Sequence, residues 1–275
     1  MASDLITSAS NPLVRRVRAL GQRRTRAEQR AAVVEGVQPV RQAAEAGVGI
    51  ERLLVAPDLL NNPSTVAFVA EAERSGTPVA RFSAELFGRL SGRDGPSGLA
   101  AIVTVPESTP EQLFGSLPSG ACAIVAVDRL ANPGNLGTIV RTADATGTAA
   151  VVLLGATADP WDPVAIKASM GAVFHIPIVR LADLSELVTW GDRAGLTLVT
   201  TAGRAAESLW GVRLPDRVAV VLGSERDGLS DDDLASAPLA INIPMAGHAE
   251  SLNVAVAAGI LLHEVFRTHH HRTLP

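Results

Sequence analysis

Apolar residues recur along this chain in two distinct patterns. In the second half they form short unbroken runs: ACAIVAVD (121–128), AAVVLLG (149–155), LTLVTTAG (196–203), VAVVLGSE (218–225) and APLAINIPM (237–245). Such runs, bounded by polar residues, mark strands buried on both faces of a parallel sheet. Between them lie the helical patterns GTIVRTADATG, DPVAIKASMGAV, ADLSELVTWGDRAG and SLNVAVAAGILLHEVFRTHH. Alternating strands and helices predict an α/β fold, a doubly wound parallel sheet with helices on both faces. Ligands of such sheets sit at the carboxyl ends of the strands, so the residues that follow each apolar run are where chemistry is expected.

The first half reads as a smaller α/β domain, residues 1–105. A basic segment, helical from about Pro12, precedes VVEGVQPVRQAAEAG, a strand or turn entering an amphipathic helix. ERLLVAPDLL gives a strand and a turn, STVAFVAEAERSG a helix, TPVARFSAELFGRL a strand and a helix, and GLAAIVTVP a closing strand. Residues 106–120, PESTPEQLFGSLPSG, are rich in Pro, Ser and Gly and are expected to link this domain to the second, 121–275.

Composition narrows the class. At 275 residues with 47% hydrophobic and 19% charged positions, the chain is long enough to bury two cores. No apolar run approaches the roughly 20 residues that span a bilayer, and no basic-then-apolar leader opens the chain, so no membrane partner and a cytoplasmic location are expected. Cys122 is the only cysteine, which excludes an intrachain disulfide and a cysteine-based zinc site. His269, His270 and His271 read as an unstructured tail rather than a metal site, and no metal is expected. The formal net charge of -4 hides a segregation: between Met1 and Arg41 stand eight arginines against three acids. Arg15, Arg16, Arg23 and Arg24 are candidates for neutralising RNA phosphates, although a charge run taken alone is more often a solvated helix face, and only the motifs below reverse that preference.

Three stretches carry candidate chemistry. In the first, DRLANPGNLGTIVRTADATG (128–147), a tight turn precedes a helix expected to begin at Gly137 or Thr138, one turn before Arg141. A guanidinium beside a loop of backbone donors suits a phosphate or carboxylate, while on spacing alone Arg141 is equally a surface ion-pair partner and Asn135 a turn residue. In the second, VAVVLGSERDGLS (218–230), Gly223 permits close approach of a ligand and Glu225 supplies a carboxylate at a strand end, or merely caps backbone amides. In the third, INIPMAGHAESLNVAVAAGILLHE (241–264), Glu250, Ser251 and Asn253 open a long apolar helix, with Glu250 or Ser251 as its expected cap. That helix is apolar on nearly every face, so the sheet and a second subunit are expected to bury it.

Taken together, NPGNLGTIVRTADATG, LGSERDGL and IPMAGHAESLNVAVAAGI, with KASMGAVFHIPIV between the first two, resemble the SpoU/TrmH branch of the SPOUT methyltransferases. These enzymes methylate ribose 2'-hydroxyls in ribosomal or transfer RNA. The resemblance spans roughly Ala121 to Glu264, and the preceding portion is similar to the L30e-like substrate-binding domain of many members. It implies a C-terminal trefoil knot, a homodimer with the last helix at its interface, and S-adenosylmethionine as cofactor. It also implies a cofactor pocket built by Thr201, Leu222, Gly223, Glu225, Ile243, Met245, Ser251, Leu252 and Asn253. The family's key arginine matches Arg141, with Asn135, Glu225, Ser251 and Asn253 positioning the reactants, across the dimer interface if the site is shared. Arginine has a pKa above about 12, so orienting phosphate or stabilising alkoxide is a more economical role than general base. Ribosomal RNA, 23S in particular, is favoured over tRNA by similarity to actinobacterial enzymes of the avilamycin- and thiostrepton-resistance type. The rivals are a tRNA methyltransferase, a catalytically silent RNA-binding protein of the same fold, and a nicotinamide enzyme. The last lacks the G-x-G-x-x-G turn it would need.

Overall fold

The computed structural model describes residues 5–91 and 95–270. Its contacts divide the chain into two units, 1–106 with 161–174, and 107–160 with 175–275.

In the first unit, α1 (Pro12–Ala19) starts where Asn11 accepts the Leu13 amide at 2.9 Å and Pro12 occupies the first turn. It is followed by α2 (Arg23–Gln29), β1 (Ala31–Glu35), α3 (Val37–Glu45), β2 (Ile50–Val55), α4 (Pro63–Arg74), β3 (Val79–Arg81), α5 (Ala84–Leu90) and β4 (Leu99–Thr104). The four strands lie in the order β1-β4-β2-β3, antiparallel except for β2 with β3. Val14, Val17 and Leu20 of the α1 segment pack on Phe82, Leu86 and Phe87, the spacing that an amphipathic helix needs to bury one face.

The second unit opens with α6 (Pro110–Gly115), inside the stretch read from the sequence as a linker. Thr109 and Gln112 form a reciprocal capping box, and Leu113 and Phe114 are buried in the core of this unit, Phe114 stacked on Trp190. Within this stretch Thr109 and Pro110 mark a helix start.

The chain continues through β5 (Cys122–Asp128), α7 (Pro133–Ala145) and β6 (Ala150–Leu154), and then runs into α8 (Pro163–Ser169). Helix α8 belongs to the first unit, a difference from the sequence reading, which placed this segment with the later sheet. Burial explains the exchange: Ala165, Ile166 and Ser169 are buried where α8 packs on β1, and Gly171 adopts φ +95° with no room for a side chain. A β-carbon there would lie 2.6 Å from that of Gln42. Asp162 caps α8 by accepting the Val164 amide, and it also pairs at 3.3 Å with Arg26, only 3% exposed, which donates to the Leu20 and Gly21 carbonyls.

Back in the second unit come β7 (Ile178–Leu181), α9 (Leu184–Ala194), β8 (Thr197–Thr201), β9 (Glu207–Ser208), β10 (Arg217–Leu222), α10 (Asp231–Ala235), β11 (Leu239–Asn242) and α11 (Val254–His270). Its seven strands run β7-β6-β5-β10-β8-β11-β9, every pair parallel. All seven residues of β5 are buried, as its unbroken apolar run requires, and burial pushes the Cys122 thiol above its ordinary range. Strand β9, two residues long, carries no periodic signal.

Candidate functional site

Because β10, β8 and β11 are parallel neighbours, the loops after them emerge at one edge of the sheet. Those loops line a pocket of about 550 Å³. Thr201 contributes from β8, its hydroxyl tied to the Val221 carbonyl at 2.9 Å; Leu222, Gly223 and Glu225 contribute from the β10 loop. Ile243, Met245, Ser251, Leu252 and Asn253 line the pocket from the segment joining β11 to α11.

The β10 loop is a tight turn. Gly228, at φ +66°, returns its amide to the Ser224 carbonyl at 3.1 Å, and the Ser224 hydroxyl accepts the Asp227 amide at 3.0 Å. A β-carbon at Gly223 would sit 2.5 Å from the Leu229 nitrogen and closer still to the Gly228 carbonyl carbon, so the loop itself demands glycine here.

One chain of side-chain hydrogen bonds joins three separate segments. Asn253 donates to Asn135 at 3.3 Å, and Asn135 donates to the Glu225 carboxylate. Asn253 also caps α11, accepting the Ala255 and Val256 amides at 2.9 and 3.4 Å. The cap is therefore neither Glu250 nor Ser251, and Glu225 accepts from a side-chain amide rather than serving as a backbone cap.

Helix α7 starts earlier than the sequence reading placed it. Asn132 accepts the Gly134 and Asn135 amides at 2.8 and 3.1 Å, with Pro133 preset for the first turn, a cap that contributes about 1 kcal/mol. Arg141 consequently lies in the third turn, roughly 12 Å along the axis from Pro133 at 1.5 Å per residue. It is exposed, has no hydrogen-bond or ion-pair partner among the described residues, and is not among the residues lining the pocket.

Several lining residues escaped the sequence reading. Arg226 and Asp227 neighbour Glu225, which was singled out, whereas Ala257 and Leu261 follow Asn253 at spacings of four, the signal of a shared helix face; Glu250, read as a candidate cap, also lines the pocket. Beside β5, Arg129 takes φ +47° and binds Asp128 at 2.7 Å, which raises its pKa further above the ordinary range.

The N-terminal arginines divide. Arg15 is exposed with no partner among the described residues. Arg16 is held by Glu51 at 2.7 Å and by Gln29 at 2.9 Å, and Arg24 by Glu28 at 2.7 Å. Arg23 is exposed at the start of α2. Among the described residues no group of three or more His, Cys, Asp or Glu is poised for a metal ion, and no helix is long and apolar enough to cross a membrane. Helix α11 extends through His270, where the sequence suggested a tail; His271 lies outside the described residues.

A wholly parallel sheet with a part-apolar pocket at its strand ends, edged by carboxylates and bare glycine backbone, is the layout of an α/β ligand-binding enzyme. The sequence matches the SpoU rRNA Methylase family over residues 123–263 and an MRM3-like substrate binding domain over residues 11–101. It is 30% identical to the 23S rRNA (guanosine(2553)-2'-O)-methyltransferase RlmP of Bacillus subtilis, over 94% of this chain and 98% of that one. Among solved structures it is similar to an AdoMet-bound rRNA methyltransferase from Sinorhizobium meliloti (33% identity, TM-score 0.85, 99% of each chain). It is also similar to the SpoU methyltransferase AviRb from Streptomyces viridochromogenes (27% identity, TM-score 0.83, 95% of this chain and 99% of that one). The chain belongs to the SpoU rRNA methylase family and is an RNA methyltransferase.

Proposed function

We propose that this protein transfers the methyl group of S-adenosylmethionine to a ribose 2'-hydroxyl of 23S rRNA, acting as a homodimer in the cytoplasm. The observation that carries this reading is the pocket at the ends of β8, β10 and β11, with its rim tied together through Glu225, Asn135 and Asn253. The lining fits the cofactor. Its volume falls within the roughly 300–1,000 Å³ of small-molecule sites; Leu222, Ile243, Leu252 and Leu261 offer an apolar wall for a purine, and Glu225 and Glu250 offer carboxylates for a cationic end.

When bound, S-adenosylmethionine supplies a methyl carbon already activated by its sulfonium, so the demand on the protein is orientation. Asn135 fixes the Glu225 carboxylate, and Asn253 fixes Asn135 while anchoring the first turn of α11. The Arg141 guanidinium presents a planar fork of donors and no acceptor. Its part is to hold the RNA phosphate and stabilise the 2'-oxygen as that oxygen loses its proton to solvent.

Arg141 lies outside the pocket of its own chain, and Val256 and Ile260, four apart on α11, are 52% and 39% exposed. Both observations support a second copy that covers the α11 face and brings its Arg141 to this pocket. The same reading includes the family's trefoil knot in the C-terminal portion.

The test incubates the full chain with 23S rRNA from cells lacking it and with methyl-labelled cofactor, then digests the RNA to nucleosides. Label in one 2'-O-methylnucleoside of 23S rRNA is expected. Label on a base, in tRNA instead, or nowhere defeats the proposal. Growth of the same cells on ribosome-targeting antibiotics, with and without the gene, tests whether the mark protects the ribosome. Mixed dimers of Arg141→Ala with Gly223→Val chains should regain activity if the site is shared, and should stay inactive if each chain is self-sufficient.

A further inference from the structure

In the first unit, an open cleft of about 510 Å³ lies between the start of α1 and strands β2 and β3. Ile6, Leu13, Val79 and Ala80 give it an apolar floor, and three arginines, Arg16, Arg52 and Arg81, edge it. The N-terminal segment closes one side: the Ile6 amide donates to the Arg81 carbonyl at 2.8 Å and the Ile6 carbonyl accepts the Ser83 amide at 3.0 Å, covering the edge of β3.

The three arginines are not equivalent. Arg16 is neutralised by Glu51 at 2.7 Å, and Arg81 meets both carboxylate oxygens of Glu73, at 3.0 and 2.7 Å. That contact raises the Arg81 pKa and lowers that of Glu73. Arg52, half-buried beside the register shift in β2, has no partner among the described residues. The cleft therefore presents an apolar floor with one uncompensated guanidinium. A bare phosphate would favour several free cations, and an apolar peptide would gain nothing from leaving one uncompensated. A flat base carrying one phosphate matches both features, because guanidinium planes stack on bases and fork onto phosphate oxygens. On the neighbouring face of α1, Arg15 and Arg18 are exposed and also without partners among the described residues, free to take flanking phosphates.

We propose that this cleft receives one unpaired nucleotide of the RNA, extruded from its helix, with Arg52 holding it. The inference rests on the reading that the chain acts on RNA, and it adds the form of RNA that the first unit selects.

The experiment uses the full chain and two labelled hairpin RNAs of the same stem, one fully paired and one with a single bulged uridine, followed by fluorescence anisotropy. The wild type is expected to favour the bulged hairpin by about tenfold, the scale of one good arginine contact. Arg52→Ala should erase that preference while leaving affinity for the paired hairpin within about twofold. Arg15→Ala with Arg18→Ala should weaken both hairpins alike. With 4-thiouridine at the bulge, cross-links should fall within residues 5–16, at Arg52 or within residues 79–81. Equal affinity for the two hairpins, a preference that survives Arg52→Ala, or cross-links confined to other segments would each overturn the proposal. Failure to bind either hairpin also overturns it, whereas continued methylation of 23S rRNA by the same preparation would leave the RNA methyltransferase reading standing.

Discussion

In the four-stranded unit, the arginines of α1 and α2 are mostly held: Arg16 by Glu51, Arg24 by Glu28, Arg26 beneath the surface by Asp162. In the parallel-sheet unit, Arg141 on α7 and Arg226 on the pocket rim meet no carboxylate among the described residues. A run of arginines in sequence thus delivers less free positive charge than its length suggests, while Arg141 and Arg226, unlike Arg129 and Arg204 of the same unit, stay uncommitted. An ion pair at the surface leaves the guanidinium screened and its fork geometry occupied; an unpaired one is ready for a phosphate.

The sharpest way to break this contrast is Arg141→Ala. Removing one preorganised donor from a developing oxyanion costs about 10²–10³ in kcat, while cofactor affinity measured by calorimetry should stay within about twofold. Equal losses in both would place Arg141 in cofactor binding and end its assignment to the acceptor side. Next comes Arg26→Ala, which removes a buried cation from two carbonyls and Asp162. A loss of about 2–3 kcal/mol in denaturant unfolding is expected, the scale of hydrogen bonds made by a charged group. An effect under about 0.5 kcal/mol would make Arg26 no more than another surface arginine.

A smaller effect is expected at Gly223→Ala. The added methyl collides with backbone of Gly228 and Leu229, and backbone yields less readily than a side-chain tip. With roughly 2 kcal/mol of overpacking strain in the loop, S-adenosylmethionine affinity should fall about thirtyfold. Unchanged affinity would mean that the loop is not needed in this shape for binding.

How much of this was legible beforehand depends on whether the signal was local. The buried strands were, because the six unbroken apolar residues that open β5 have no stable alternative once both faces are covered. Residues that line the pocket are named from motif wording, and Gly223 reads from the sequence as room for a ligand, whereas the backbone of its own loop is what excludes a side chain there. Three features were hidden because they depend on contacts distant in sequence. Arg26 looks like Arg24 until Asp162, 136 residues later, claims it. Helix α8 carries the same alternating style as the rest of the second half, yet its buried face matches β1. Asn253 takes the cap from Glu250 and Ser251, and nothing in ESLN distinguishes the three acceptors until Asn135 fixes one amide.

The smallest effect belongs to the arginine run itself and separates its members by partner rather than by position. Arg15 and Arg18 share one exposed side of α1 and have no partners among the described residues; Arg24, equally exposed in the sequence reading, is tied to Glu28 one turn away. If free guanidinia are what engage RNA, the double variant Arg15→Ala with Arg18→Ala should lower the slope of log affinity against log salt by about two, near one per phosphate contact, and weaken binding similarly across RNA sequences. Arg24→Ala should change the slope by much less, because its charge is already partly offset by Glu28 and the pair itself contributes only about 0.3–0.5 kcal/mol. Equal slope changes for Arg24→Ala and for either single α1 variant would show that the ion pair opens at no cost on binding. The distinction between held and free arginines would then fail for the surface of this unit while surviving for buried Arg26.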